Sequence, residues 1–316
     1  MSWEQLTNHP PSPIQELEDA LFREKGVRVL VKRDDLLCLP VEAGDRAFCG
    51  NKWRKMKYNV LEAQNKGVQT LLTYGGAFSN HVAAVAAAGR LFGFQTAAVL
   101  RGEPYFPLNP TLSFAERCGM QLAYLSREQY RHKEDQRLTF RSEAAQSLYI
   151  LPEGGTNALA ILGCAELARE ILDEAQPDFC CVACGTGGTA AGLIAGFEGR
   201  VRTIGFPVLK GEFLFNQVLN LAGENGSPKA SAWTLQTGYH FGGYAKWTPP
   251  LIDFIRYMEA RFGLPLDPVY TGKLFFGVWD LMAKDYFSRG ATICLVHTGG
   301  LQGVAGFKQR FPLAGL

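Results

Sequence analysis

Short runs of almost unbroken apolar residues punctuate this chain, and stretches of helical periodicity separate them. They are Val27–Lys32 (VRVLVK), Thr70–Tyr74 (TLLTY), Gln95–Arg101 (QTAAVLR), Phe179–Cys184 (FCCVAC), Val201–Val208 (VRTIGFPV) and Thr292–Val296 (TICLV). A strand with apolar side chains on both faces must be covered on both faces. Helices between successive strands supply that cover, so the pattern predicts an α/β protein with parallel sheets flanked by helices. Gln121–Leu125 reads as a further strand. Lys55–Lys66, Asn80–Leu91, Leu112–Cys118, Ala158–Glu174, Pro250–Arg261 and Gly272–Lys284 read as helices, Thr189–Gly196 as the start of another, and Gly102–Pro110 as a loop. With 316 residues, 47% of them hydrophobic, the chain can fill the cores of two domains.

The charge balance argues against several functions. Lys and Arg number 32 against 30 Asp and Glu, a net charge of +2. That gives no global attraction to nucleic acid or to an anionic membrane. The opening MSWEQLTNHPPSPIQELEDALF has no basic segment followed by an apolar one, as a secretory signal would. No apolar run approaches the ~20 residues that span a bilayer. A soluble, cytoplasmic protein is expected. Of 8 cysteines, only Cys181 and Cys184 have a metal-like or redox-like spacing. No second pair follows, and both lie in an apolar strand, so they read as core residues and no metal site is expected.

Chemistry concentrates at glycine-bordered turns. Cys184-Gly185-Thr186-Gly187-Gly188-Thr189 follows a predicted strand and opens a predicted helix. Glycines let backbone amides turn toward an anion, and the helix N-terminus adds partial positive charge. The segment lacks the Gly-Lys-Ser/Thr of a Walker loop and the GxGxxG-plus-acid of a dinucleotide site. A glycine-rich turn without a ligand remains the alternative. Lys52 follows the Gly50-Asn51 turn, just before a helix. A lysine at a helix start opposes the dipole, which lowers its pKa and suits imine formation. Lys32 and Lys55, taken singly, read as surface charges. In Thr73–His81, Ser79 and Asn80 cap an Ala-rich helix and offer donors to an anion; His81 reads as structural.

In chain order, KRDD (32–35), GNKWRK (50–55), GGAFSNH (75–81), GTGGT (185–189), PVYTGK (268–273) and HTGG (297–300) together resemble one family. It is the pyridoxal-phosphate (PLP) enzymes that group 1-aminocyclopropane-1-carboxylate (ACC) deaminase with D-cysteine desulfhydrase, of the tryptophan-synthase-β-like fold, fold type II. The resemblance runs from about Pro13 to Gly300. It implies a large PLP-binding domain of residues 1–50 plus 151–316 and a small α/β domain of 51–150, with the cofactor between them. Lys52 would carry PLP as a Schiff base and move the α-proton. Asn80 would bond the 3'-oxygen, and Gly185, Thr186, Gly187, Gly188 and Thr189 the phosphate. Ser79, Tyr270 and Tyr244 would face the substrate. Homodimerisation is expected on the same ground, with a small amino acid as substrate and neither nucleic acid nor membrane as partner.

Two positions bear on the reaction. ACC deaminases carry Glu where this chain has Thr271, facing the pyridine nitrogen, and Leu where it has Thr298. Desulfhydrase relatives carry Thr at both. The Thr271/Thr298 pair therefore favours β-elimination, D-cysteine giving sulfide, pyruvate and ammonia. Ring opening of ACC is the alternative. A PLP-binding protein without catalysis and a nucleotide enzyme using the glycine loop are rivals of other kinds. The chain departs from its relatives at Ala83-Ala84, where they carry Arg-Gln, at Cys49, where they carry Gly, and at the start of the cradle, CGTGGT in place of GSGGT. Ala83-Ala84 is expected to alter the substrate wall.

Overall fold

The fold grows from the same apolar runs. The computed structural model describes residues 9–39, 41, 45–104, 106–133, 148–223 and 232–316. The first part of the chain gives β1 (Ile14–Leu17), α1 (Ala20–Lys25), β2 (Arg28–Lys32) and α2 (Asn51–Asn65). Then come β3 (Thr70–Gly76), α3 (Asn80–Phe92), β4 (Gln95–Arg101), α4 (Pro110–Arg117), β5 (Gln121–Leu125), α5 (Arg127–Arg131) and β6 (Leu148–Leu151). The remainder alternates through α6 (Ala158–Glu174), β7 (Phe179–Cys184), α7 (Gly188–Phe197), β8 (Arg202–Pro207), α8 (Phe213–Gly223) and β9 (Trp233–Leu235). It ends with α9 (Pro249–Phe262), α10 (Thr271–Ala283), β10 (Thr292–Val296) and α11 (Gly303–Arg310).

These strands form two sheets, in the orders β1-β2-β10-β7-β8-β9 and β5-β4-β3-β6. Every neighbouring pair is parallel except β1 on β2, which is antiparallel. β7 shows why its sequence is apolar throughout. Cys181 and Ala183 pack on one side with Phe275 and Val278 of α10. Cys180, Val182 and Cys184 pack on the other with Ile161 of α6 and Leu193 of α7. Alternate residues thus enter different cores, and the strand is covered on both faces. Cys181 and Cys184 are free thiols in these cores, and no cluster of potential metal ligands occurs among the described residues. No described helix is long and apolar enough to cross a membrane.

Two features ahead of α2 were not anticipated. Cys38 and Cys49 form a disulfide that closes the loop entering the helix; the sequence reading saw in Cys49 only a replaced glycine. Lys32, expected on the surface, is buried, with its ammonium 3.2 Å from Glu170 and 2.7 Å from Glu174. The rest of KRDD serves the same scaffold. Arg54 of α2 donates to both oxygens of Asp34 at 2.7 Å and to Glu170 of α6 at 2.8 and 2.9 Å, with Arg54 and Asp34 almost wholly buried. Fork-to-fork pairing of this kind fixes direction as well as distance, and it sets the position of α2.

Candidate active site

The carboxyl ends of β3, β4 and β7 open on one cavity of about 590 Å3. This is where parallel sheets place ligand sites, because helix N-termini and loops converge there. Lys52, Ser79, Asn80, Gly185–Thr189, Tyr244, Tyr270 and Thr298 all line it. Thr271 does not.

Lys52 is the second residue of α2, and Gly50 determines how the helix starts. Gly50 has φ +59°, and a Cβ there would lie 2.3 Å from the Thr298 carbonyl oxygen. Only glycine permits both. The Asn51 amide donates to that same carbonyl at 3.2 Å, which ties the GNK turn to the HTGG segment. Lys52 Nζ lies 3.4 Å from the Gly154 carbonyl. Its pKa is lowered to about 7, first by burial and second by the Lys55 ammonium.

Lys55, read from sequence as a surface charge, is buried. Its ammonium donates to the Gly154 carbonyl at 3.2 Å and to Thr156 Oγ1 at 3.0 Å. A Cβ on Gly188 would come within 3.0 Å of it. A cation therefore stands directly against the glycine cradle. Burial lowers the Lys55 pKa too. Nothing local in the sequence marks this residue, since its partners lie about a hundred positions away.

In the cradle, Gly187 is the N-cap of α7 with φ +77°. Its missing Cβ would meet Val218 Cγ2 of α8 at 2.7 Å. The glycine is thus required by backbone and packing, on the side of α8. Thr186 Oγ1 bonds Thr156 Oγ1 at 2.6 Å, and Asn51 Nδ2 donates to Thr189 Oγ1 at 3.1 Å. The α7 amides and the Lys55 ammonium converge on space that side chains would otherwise fill, and this suits a phosphate.

On the facing wall Ser79 caps α3, accepting from the Val82 amide at 3.3 Å. Asn80 accepts from the Gln302 carboxamide. His81 is buried, and neither ring nitrogen has a hydrogen-bond partner. Burial, then Lys52 and Lys55, push its pKa well below the ordinary value, so it is neutral. Ala83 and Ala84, expected to shape this wall, are fully buried in the core of the smaller sheet and do not line the cleft. The polar wall stops at His81.

Tyr244 and Tyr270 stand edge to face with ring centroids 6.1 Å apart. Burial raises the pKa of both. Thr271 lies behind them. Its hydroxyl donates to Asp267 Oδ2 at 2.7 Å and accepts from the Asp267 amide at 2.9 Å. Asp267 also accepts from the amides of Val269, Tyr270 and Thr271, closing the start of α10. Thr271 is not among the residues that line the cleft. Thr298 keeps its place on the cleft wall.

Comparisons with known proteins bear on family and fold. A family model described as "Pyridoxal-phosphate dependent enzyme" matches residues 6–299. A Pyrococcus horikoshii protein provisionally named a 1-aminocyclopropane-1-carboxylate deaminase is 32% identical, over 95% of this chain and 92% of its own. The D-cysteine desulfhydrase of Salmonella newport is 30% identical, over 92% of each. The crystal structure of an ACC deaminase homologue superposes with a TM-score of 0.83 at 29% identity, covering 99% of this chain and 98% of that one.

Proposed function

The chain belongs to the pyridoxal-phosphate-dependent enzyme family, and on that premise we propose that it catalyses β-elimination from a small amino acid, with D-cysteine as the model substrate. The observation that carries the reading is a lysine of pKa about 7 facing a glycine cradle across one cleft. Bound pyridoxal phosphate draws electrons from the α-carbon of an amino acid joined to it. Lys52 is the amine that holds the cofactor and then takes the α-proton at Nζ. The α7 amides, Thr186, Thr189 and Lys55 hold the phosphate. Asn80 orients the ring, and Ser79 binds the substrate carboxylate. Tyr270 and Tyr244, with raised pKa values, remain protonated and donate near the leaving group.

The choice of elimination rests on charge. Thr298 offers the cofactor ring a neutral hydroxyl, and Thr271 supplies no carboxylate. The Asp267 carboxylate behind it is occupied by the α10 turn. Without an anion at the ring nitrogen the site is a weaker electron sink. A good leaving group such as thiolate tolerates that better than a cyclopropane. ACC ring opening is the second reading, favoured by the names given to two of the relatives.

Borohydride reduction of the holoenzyme, followed by peptide mapping, tests the assignment of Lys52. The pyridoxyl label is expected on Lys52, and Lys52→Ala should abolish both label and sulfide release. A label on Lys55 would overturn the assignment.

A further inference from the structure

We infer that the cleft recognises a second negative charge on its substrate, with Arg101, Arg310 and Tyr244 forming a subsite for an oxyanion on the amino acid's side chain. The inference deepens the elimination reading and rests on it for the position of the α-carboxylate. The first argument is a count of charges. Among the described residues, Lys52, Lys55, Arg101, Arg127 and Arg310 line the cleft with a single carboxylate, Glu153, which already faces Lys133 at 3.5 Å. Lys55 belongs to the phosphate cradle, and Lys52 is the reacting amine. No described carboxylate lies within ion-pair distance of Arg101, Arg127 or Arg310.

The second argument is placement. Arg101 ends β4 directly opposite Gly76 of β3. Its guanidinium lies 3.7 Å from where a Gly76 Cβ would be. Arg310 ends α11 and lies over the Phe78 ring at 5.9 Å and the Phe311 ring at 5.2 Å. The two guanidinium groups thus border the 76–79 loop, whose last residue is Ser79. Both are close enough to Tyr244 to favour its ionised form against the effect of burial. Arg310 rests on aromatic faces and Arg101 has a Tyr130 face at 5.7 Å, so their N–H donors stay free for an anion.

D-Cysteine and ACC each bring one carboxylate and an uncharged remainder. Two guanidinium groups lining the same cleft, one against Gly76 and one over Phe78, exceed that need. A side-chain carboxylate, sulfate ester or phosphate ester would match it. For a phosphate ester the reaction balances without a further reagent. Lys52 takes the α-proton, the Cβ–O bond breaks with its electron pair leaving on phosphate, and water displaces the nitrogen. Serine O-phosphate and water give pyruvate, ammonia and inorganic phosphate.

Calorimetric titration of the Lys52→Ala holoprotein, dialysed free of excess cofactor, tests the subsite without turnover. Both enantiomers of serine, serine O-phosphate, serine O-sulfate and 3-hydroxyaspartate are the ligands, with inorganic phosphate as a control. At least one anionic ligand is expected to bind ten-fold or more tightly than serine, and the best of the three identifies the oxyanion. Adding Arg101→Gln and Arg310→Gln should reduce that preference to within three-fold, with folding checked by thermal melting. Three results would overturn the subsite: equal binding of serine and all its anionic counterparts, a preference that survives the double replacement, or inorganic phosphate binding as tightly as serine O-phosphate. Sulfide release from D-cysteine by the wild-type holoenzyme separates the two proposals. Turnover without anion preference removes the subsite alone; anion preference without turnover of any amino acid removes the elimination reading alone.

Discussion

At the scale of single residues, Lys52 shows how burial prepares a reacting group. Protein around the side chain and the neighbouring Lys55 charge both penalise the ammonium, which brings the pKa to about 7. The cofactor-free protein should therefore capture pyridoxal phosphate faster as pH rises through 7, because the neutral amine is the nucleophile. Stopped-flow absorbance measures this, and a rate that keeps climbing to pH 10 would mean an unshifted lysine. The linked stability has a definite sign. The folded lysine loses its proton near 7 and the unfolded one near its ordinary value, 10.5. Between those values the unfolded state holds more protons, so this lysine's destabilising effect fades as pH rises across the window. Gly187 makes a different prediction. Gly187→Ala meets a φ of +77° and Val218 Cγ2 at 2.7 Å, and should cost about 1–3 kcal/mol in denaturant unfolding. Lys52 and the cradle were legible because their signal is local, in GNK and GTGGT. Lys55 was not, because Gly154, Thr156 and Gly188 become its neighbours only in the folded chain. The bond between Thr271 and Asp267 also had a local signal: Asp267, four residues earlier, is a turn former able to accept from the amides that follow it.

At the scale of elements, α2 carries Lys52 and is fixed by charge as much as by packing. Asp34 and Glu170 together hold the Arg54 fork, one from the KRDD segment and one from α6. Arg54→Met would leave Asp34 buried without its cation. The expected loss is about 3–5 kcal/mol, since removing one partner of a buried pair strands the other. Urea unfolding of the cofactor-free protein measures it; a loss under about 1 kcal/mol would show that α2 is held by apolar contacts alone. The elements with unbroken patterns were the legible ones. β4, β5, α6, β7 and β10 begin and end where their apolar patterns do. Others went unseen, the 11-residue α8 among them. β1 has four residues, two of them polar, and β9 has three; each is a strand because a neighbour in the sheet supplies its hydrogen bonds. The antiparallel β1 edge left no mark on the sequence for the same reason.

At the scale of the whole molecule, two sheets of mostly parallel strands bring their carboxyl ends to one cavity, and residues of every quoted motif except KRDD line it although they are spread over the chain. Their order along the sequence was enough to identify the family. It did not reveal how the walls divide the work. The glycine cradle and Lys55 form an anion site on one side. Ser79, Asn80 and His81 line the same cavity, as do Tyr244 and Tyr270, which under our proposal would stand near the ring of a bound cofactor. No element of that division requires a carboxylate at the cofactor nitrogen, and this absence sets the chemistry we propose. The most direct measurement is a head-to-head assay of the holoenzyme with D-cysteine and with ACC, following sulfide, ammonia and the 2-oxo acid at equal substrate concentrations. The account predicts that sulfide and pyruvate from D-cysteine appear faster than 2-oxobutanoate from ACC. Faster opening of ACC would contradict it.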